Sequence, residues 1–381
     1  MTSTNPKFDV AVAGAGMVGA AVASLLARCG FSVALIEARE PVPFDDSRPV
    51  GLRVSAISLG SAAVLEQAGA WSEIESGRSC AYRRMHVAEG SGSGTGSQPL
   101  EFEAPVYGME RLGTIVENDR VQSTLWNVVK ANALITRFCP ASLDNIETGP
   151  DRVIVHLGES GTIEAGLLIA ADGGMSFTRK MAGISQDVWE YNQKGVVCVI
   201  RKSEANPGVA WQRFLPGGPL AFLPLEDGSS SIVWTLPTAE ADRMLSLPEE
   251  SFKEELGKAS EGWLGEVSEC GPRAAFPLIM RLSKRYVADR VVLLGDAAHV
   301  VHPLAGQGVN LGLADAAALV ETLAANRRTG LDIADTASLE RFERWRKSES
   351  ELMAGGIHGL RALFMPQGLS VLRRFGLGLV S

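Results

Sequence analysis

Cysteine is scarce and scattered. The 381-residue chain has five, Cys29, Cys80, Cys139, Cys198 and Cys270, with no CxxC and no two closer than Cys29 and Cys80. An odd count at such spacing excludes a disulfide framework and the common zinc-site patterns, so no metal is expected and a reducing compartment is. No long Lys/Arg run occurs, and 44 acidic against 36 basic residues leave a net charge of −8. Nucleic acid is therefore not an expected partner. Met1 to Phe8 lacks a basic leader running into a cleavage site, so secretion is not expected either. One stretch, Val10 to Ala27, is free of charge and long enough on paper to cross a bilayer. Its central Gly14, Gly16 and Gly19 suit a soluble turn instead.

Glycine is what the chain has in excess, 41 residues of 381, against a usual share of roughly 7%. Apolar residues at 46% and charged residues at 21% are ordinary for a globular protein of two domains or one large one. The glycines mark places where backbone must approach something closely. Phe8 to Ala13 reads as a buried strand and Met17 to Cys29 as an Ala- and Leu-rich helix, with Gly14-Ala15-Gly16-Met17-Val18-Gly19 between them. In this G-x-G-x-x-G pattern Gly14 allows the tight turn, Gly16 the approach of a pyrophosphate, and Gly19 close packing of helix on strand. The free N–H groups of the helix N-terminus face the phosphates. A second strand, Ser32 to Ile36, ends at Glu37 and Ala38, where a ribose-binding carboxylate belongs. No second copy of the pattern occurs, so only one Rossmann-type site is expected.

Two further segments follow apolar strands. Leu167 to Ala170 runs into Ala171-Asp172-Gly173-Gly174-Met175-Ser176-Phe177-Thr178-Arg179. Arg290 to Leu294 runs into Gly295-Asp296-Ala297-Ala298-His299 and on through His302-Pro303-Leu304-Ala305-Gly306-Gln307-Gly308-Val309-Asn310, with a helix expected from near Val309 to Asn326. Each Asp sits just past the carboxyl end of a strand, the crevice where open α/β sheets bind ligands. Taken singly, either one reads equally well as a helix cap or turn residue.

Together and in this order the segments resemble the FAD-dependent aromatic hydroxylases related to p-hydroxybenzoate hydroxylase. Asp172, Gly173, Ser176 and Arg179 match the middle motif at full spacing, and Gly295 to His299 match the third. Val50 to Ser58 resembles the family segment that places an arginine, here Arg53, beside the flavin. Glu117 to Gln122 resembles the one that brings a glutamine to the cofactor. Trp189 to Gln193, Trp211 to Pro216, Gly218 to Leu225 and His302 to Gly308 are similar to the ubiquinone-biosynthesis hydroxylases in particular. The resemblance runs from about Phe8 to Leu379. Ala170 departs from it, standing where the family often has glycine.

The resemblance implies an α/β fold with α+β elements: a Rossmann-type FAD-binding domain joined to a mixed or antiparallel-sheet substrate domain. The FAD-binding domain is expected in three parts, residues 1–75, 111–183 and 281–330. Substrate-domain strands are expected at 76–110 and 184–280, and a helical tail at 331–381. It further implies FAD, an electron donor such as NAD(P)H, and dioxygen used through a flavin C4a-hydroperoxide to hydroxylate a polyprenylated phenol or benzoquinol. The cofactor would be held by Gly14, Ala15, Gly16, Met17, Gly19, Glu37, Ala38, Arg53, Gln122, Asp172, Gly173, Gly295, Asp296, Pro303, Gly306, Gln307, Gly308, Val309 and Asn310. A small soluble aromatic substrate is the alternative, and a non-catalytic flavoprotein of the ubiquinone assembly is another. A flavin reductase acting on prenyl double bonds sits between these.

No Ser/His/Asp or paired-carboxylate site is required, since the cofactor carries the oxygen chemistry and the protein orients and excludes water. His302 and Pro303 are candidate catalytic residues. His299 and His302 are equally readable as residues that fix their loop. Strand-like runs at Gly195–Ile200, Trp211–Leu215, Leu220–Leu225 and Ser231–Leu236 suggest a substrate-side sheet. On it Phe222 and Pro224 would share a face, directed to the flavin or to a helix-covered core. The insert Gly90 to Ser97 has the composition of a flexible hairpin tip.

From Leu352 to Ser381 there is no acid, while Arg361, Arg373 and Arg374 accompany apolar residues at partly helical spacing. Such a tail suits an anionic membrane surface, or packing on the domain or a second subunit. The protein is thus expected in the cytoplasm, with peripheral contact at the inner face of the membrane and with other ubiquinone-synthesis proteins as candidate partners.

Overall fold

The computed structural model describes residues 5–90, 100–263, 265–301 and 308–364. The expectations for His302, Pro303, Gly306 and Gln307, for the insert beyond Gly90 and for the end of the tail lie outside the described residues.

Elements are numbered in chain order. The first sheet centres on β1 (Lys7–Ala13), with β2 (Val33–Ile36) and β11 (Thr162–Ala170) parallel on either side. β8 (Ile135–Phe138) extends it in parallel beyond β2, and β19 (Val291–Leu293) beyond β11. β9 (Asn145–Thr148), β10 (Val153–His156) and β18 (Val287–Ala288) join antiparallel. The parallel strands are nearly continuous apolar runs because both faces are covered. Val10, Val12, Leu167 and Ile169 pack with α1 (Met17–Arg28), α4 (Asn118–Ala131) and α8 (Gly308–Thr329), while Ala11, Ala13, Leu168 and Ala170 face Val153, Val155 and Tyr286. Small residues let α1 and α8 close up: a Cβ on Gly312 would lie 2.6 Å from a Val18 methyl.

The second sheet runs β20 (His299–Val300), β17 (Ala274–Ser283), β12 (Gln186–Lys202), β15 (Ser230–Pro237), β14 (Gly218–Pro224), β13 (Val209–Leu215), β5 (Arg84–Glu89) and β6 (Leu100–Glu103). β16 (Val267–Cys270) pairs with the far end of β12. All pairings are antiparallel except β13 with β5. Helices α6 (Thr238–Ser246) and α7 (Glu249–Ser260) cover one face, burying Phe222, Met244, Phe252 and Leu256.

This placement decides between the two faces open to Phe222. Phe222 belongs to the helix-covered core, whereas Leu223 and Leu225 pack on the other face with Ala56 and Ile115. β14 is apolar on both faces, so alternation alone assigned neither face to a ligand. Pro224 is buried at the end of the same strand.

Ala56 and Ile115 belong to the third sheet, β3 (Val54–Ser58), β7 (Gly113–Glu117) and β4 (Ser79–Tyr82), with β7 central. It joins the two larger sheets. Helices α2 (Leu59–Ala68) and α3 (Trp71–Ser76) follow β3, and the short α5 (Phe177–Met181) follows β11. The long α9 (Thr336–Phe364) packs back on α8. Among the described residues one helix, α8, is long and apolar enough to cross a membrane, and half of that stretch is buried within the protein.

Candidate active site

Three segments distant in sequence meet at one sheet edge. Ala13 of β1 is level with Ala170 of β11, and Ala170 with Leu293 of β19. The glycine-rich turn, the Asp172 loop and the Gly295–Asp296 turn therefore leave adjacent parallel strands at the same height. Backbone bonds continue the alignment past the strand ends, from Ala171 N–H to Ala13 and from Leu294 N–H to Ala170 (2.8 and 2.9 Å).

The turn after β1 depends on its glycines. Gly14 has φ +97°, and a Cβ there would lie 2.5 Å from the Ala171 carbonyl oxygen. A Cβ on Gly19 would lie 1.9 Å from the Gly14 oxygen. Gly16 differs: a Cβ would meet nothing within 4 Å, so its hydrogen faces open space at the start of α1. That helix carries no side-chain cap on its N-cap residue. Free N–H groups beside open space are what a phosphate group requires. Met17 is half-buried in the first turn. Glu37 reaches over this turn, its Oε2 accepting the Ala15 N–H at 2.6 Å and its Oε1 the Arg39 N–H at 3.1 Å. Ala38 is exposed beside it.

Asp172 spends its carboxylate locally. It accepts from the Ser176 hydroxyl and from the Thr178 N–H (3.0 Å) and hydroxyl (2.9 Å), while the Ser176 oxygen caps α5 through the Arg179 N–H. Gly173, at φ +84°, turns the chain. Arg179 is buried and donates to the carbonyls of Gly174 and Ala297 at 3.3 and 3.0 Å, tying this loop to the next.

Asp296 behaves differently. It faces solvent, and among the described residues its carboxylate makes no hydrogen bond. Crowding by the surrounding chain raises its carboxyl above the ordinary range, opposed by the charges of His299 and Arg53. Gly295, at φ +55°, makes the turn that presents it. Arg53 is exposed just before β3, its guanidinium 6.0 Å from the Phe276 ring centroid. Its segment is pinned by the Ser55 hydroxyl on Asn118 (2.7 Å) and by the Asn118 N–H on the Arg53 carbonyl (3.0 Å). Gln122 of α4 donates to the Ala15 carbonyl at 3.3 Å, bringing the same corner to the glycine turn. Gly308 and Val309 open α8 with no acid in its first turn. Asn310 clamps that helix to β3, accepting from Ser58 N–H (3.0 Å) and donating to the Ala56 carbonyl (2.8 Å).

Sequence reading missed a buried ionic cluster behind this edge. His299 Nε2 lies 2.5 Å from Asp315 Oδ2, which also accepts the Gly295 N–H, and Arg346 Nε of α9 reaches Oδ1 at 2.7 Å. All three side chains are buried. Burial pushes the Asp315 carboxyl up, but His299 and Arg346 outweigh it and hold it below the ordinary range. An acid inside the apolar run of α8 was the available signal for Asp315. Nothing marked Arg346. Glu117 was also missed as a buried acid, accepting the Gly51 N–H at 2.6 Å with Arg78 beside it at 2.9 Å.

A cavity of about 550 Å³ opens beside the Arg53 segment, between the second and third sheets. Val50, Leu52, Ile115, Val199, Leu225 and Pro272 give it apolar walls. Its arginines are paired, Arg201 with Asp227 and Glu269, Arg78 with Glu117 and Arg48 with Asp45.

The edge thus offers a dinucleotide cradle with a second ligand space next to it, the arrangement of a flavoprotein that acts on a separate organic substrate. Residues 7–351 match the family described as FAD binding domain, and the chain belongs to that family. It is 37% identical over 356 residues to 3-demethoxyubiquinol 3-hydroxylase of Escherichia coli, covering 93% of this chain and 89% of that protein. Similarity to ubiquinone hydroxylase UbiL of Rhodospirillum rubrum is 34% over 99% of this chain and 87% of that one. For the human mitochondrial ubiquinone biosynthesis monooxygenase COQ6 it is 32% over 98% and 90%. In fold the chain resembles PqsL of Pseudomonas aeruginosa, a probable FAD-dependent monooxygenase, with TM-score 0.78, 21% identity, and coverage of 97% and 99%. The protein is an FAD-dependent monooxygenase of the class that includes the ubiquinone-biosynthesis hydroxylases.

Proposed function

We propose that this enzyme hydroxylates a polyprenylated phenol or benzoquinol in ubiquinone synthesis. The full-length similarity to ubiquinone hydroxylases supports the ring chemistry. The cavity supports the substrate class: apolar walls beside the Arg53 segment, with the lining arginines Arg48, Arg78 and Arg201 held by acids, suit a prenyl chain better than a carboxylated ring.

Bound FAD supplies oxygen activation, taking electrons from NAD(P)H or another donor. The chain's own residues bind and orient. The Gly14–Gly19 turn and the N-terminus of α1 take the pyrophosphate, and Glu37 with Ala38 takes the adenosine ribose. Asp296, free of partners among the described residues, accepts from ribityl hydroxyls. Arg53 would lie beside the ring system and Gln122 would meet the cofactor at the glycine turn, and the start of α8 at Gly308 and Val309 would favour negative charge on the bound group. Asp172, Gly173 and Asn310 act through the loops they hold. Leu225 and Val199 keep water from the reacting end.

Single-turnover product analysis tests this reading. Chemically reduced holoenzyme is mixed with a prenylated phenol and labelled dioxygen. One labelled oxygen on the prenylated ring is expected. Oxygen released wholly as hydrogen peroxide, or label entering only small carboxylated rings, contradicts it. Peripheral attachment through the basic, acid-free tail belongs to the same proposal. It predicts flotation with vesicles of anionic lipid, and protein that stays in the soluble fraction contradicts it.

A further inference from the structure

One large aromatic side chain of the second sheet is left open. Phe276 of β17 keeps 44% of its surface exposed. Ala275 packs with the core beneath α6 and α7, so strand alternation turns Ala274 and Phe276 to the opposite face. That face also carries Val199, Leu223 and Leu225. Gly195 of β12 is level with Phe276 and has no side chain to lay over its ring.

The surroundings of this ring differ from those of the cavity it adjoins. Pro272 lines the cavity with Val199 and precedes Phe276 by four residues, at most about 13 Å of extended chain. Beside the ring itself stands Arg53, its guanidinium 6.0 Å from the centroid, within range of a cation–π attraction. The Arg53 side chain makes no hydrogen bond or ion pair among the described residues. Its charge also reaches the Asp296 carboxyl, which puts Phe276 next to the cofactor corner. Arg48, Arg78 and Arg201 of the cavity are instead all paired with acids. An unpaired cation beside an aromatic side chain suits a ring that carries oxygen and is a poor neighbour for an alkyl chain. The apolar walls of the cavity have the converse character.

We propose that Phe276 is a specificity-determining residue for the aromatic ring of the substrate. The ring packs on the exposed part of Phe276 with its hydroxyl toward Arg53. The prenyl chain runs past Ala274 and Pro272 into the cavity, between Val199 and Leu225. Aromatic pairs in offset or edge-on contact gain more than the area they bury, a gain that an aliphatic side chain does not supply. This assignment rests on the proposed hydroxylase function, in which Arg53 would lie beside the flavin ring system. It adds which end of the substrate meets that corner and which side chain receives it.

The test is a calorimetric titration of oxidised, full-length holoenzyme, which requires no turnover. The probes are a phenol carrying a short prenyl chain and the same phenol without it. F276L should weaken binding of both phenols to a similar degree, about fivefold, and F276Y should bind them as the parent does. L225E, at the chain end, should weaken chiefly the prenylated one. F276L is expected to retain FAD and the parent's flavin spectrum before any phenol is added. Loss of FAD or a shifted spectrum in that variant would assign Phe276 to the cofactor and overturn the proposal. Weakening of the prenylated phenol alone would assign it to the chain and overturn it too, as would equal binding by F276L and the parent. A parent that binds the two phenols equally contradicts the prenylated substrate instead, and a shared loss in F276L then leaves the ring site standing.

Discussion

At the scale of single residues, glycine and aspartate carry the site in different ways. Gly14 combines φ +97° with contact to the Ala171 carbonyl, so G14A meets strain and a clash together. A loss of roughly 1–3 kcal/mol is expected, read as a lower Tm and weak FAD retention. Gly16 has open space instead, so G16A should fold normally and lose FAD affinity by about tenfold or more, measured by flavin fluorescence on dilution. Equal retention in G16A and the parent would contradict the cradle. The glycine turn, Glu37, Asp172 and Asp296 were legible because motif spacing fixes them relative to strand ends. Their division of labour was not: Asp172 is bonded within its own loop and Asp296 faces open space, a contrast set by the local fold. Phe222 was ambiguous because β14 is apolar on both faces; Leu225, the residue that does line the cavity, lies on the opposite face. L225E should raise KM for the prenylated substrate about tenfold, ~1.4 kcal/mol, with a much smaller effect for an analogue lacking the chain.

Among the elements, α9 lies in the tail expected to be helical and packs on the domain. Arg346, Glu343 and Ser350 hold it to the site edge through Asp315, the Tyr286 and Val287 N–H groups, and the Tyr286 hydroxyl. No periodicity announces a contact made across 31 residues to an acid inside α8. R346M removes one partner from a buried ionic cluster and should cost roughly 3–5 kcal/mol. Thermal melts read this directly, and FAD should leave the variant faster because Asp315 also holds His299 and the Gly295 N–H. The cluster sets an acid limit too. Asp315 titrates below its unfolded value, so its contribution is fully present above about pH 4 and is lost as pH falls through the lowered value. Tm and FAD retention should drop below that pH in the parent protein, whereas D315N should be weaker throughout and flatter in this range.

For the whole molecule, the decisive feature is convergence. The chain crosses repeatedly between sheets, yet parallel register delivers three distant loops to adjacent strand ends, where α/β sheets bind their ligands. This much followed from strands that end in glycine and aspartate. The third sheet did not, since β3, β4 and β7 are short and their pairings non-local. With it went the cavity, which exists only because that sheet stands against the second. In the proposed function, the cavity is what connects an FAD fold, shared with enzymes of many substrates, to a prenylated ring. The most direct test of that connection is quinone analysis by mass spectrometry in a strain stripped of its ubiquinone ring hydroxylases and supplied with this gene. The account predicts that a prenylated intermediate disappears and is replaced by one carrying an additional ring hydroxyl. An unchanged set of intermediates, with the protein present and loaded with FAD, would contradict it.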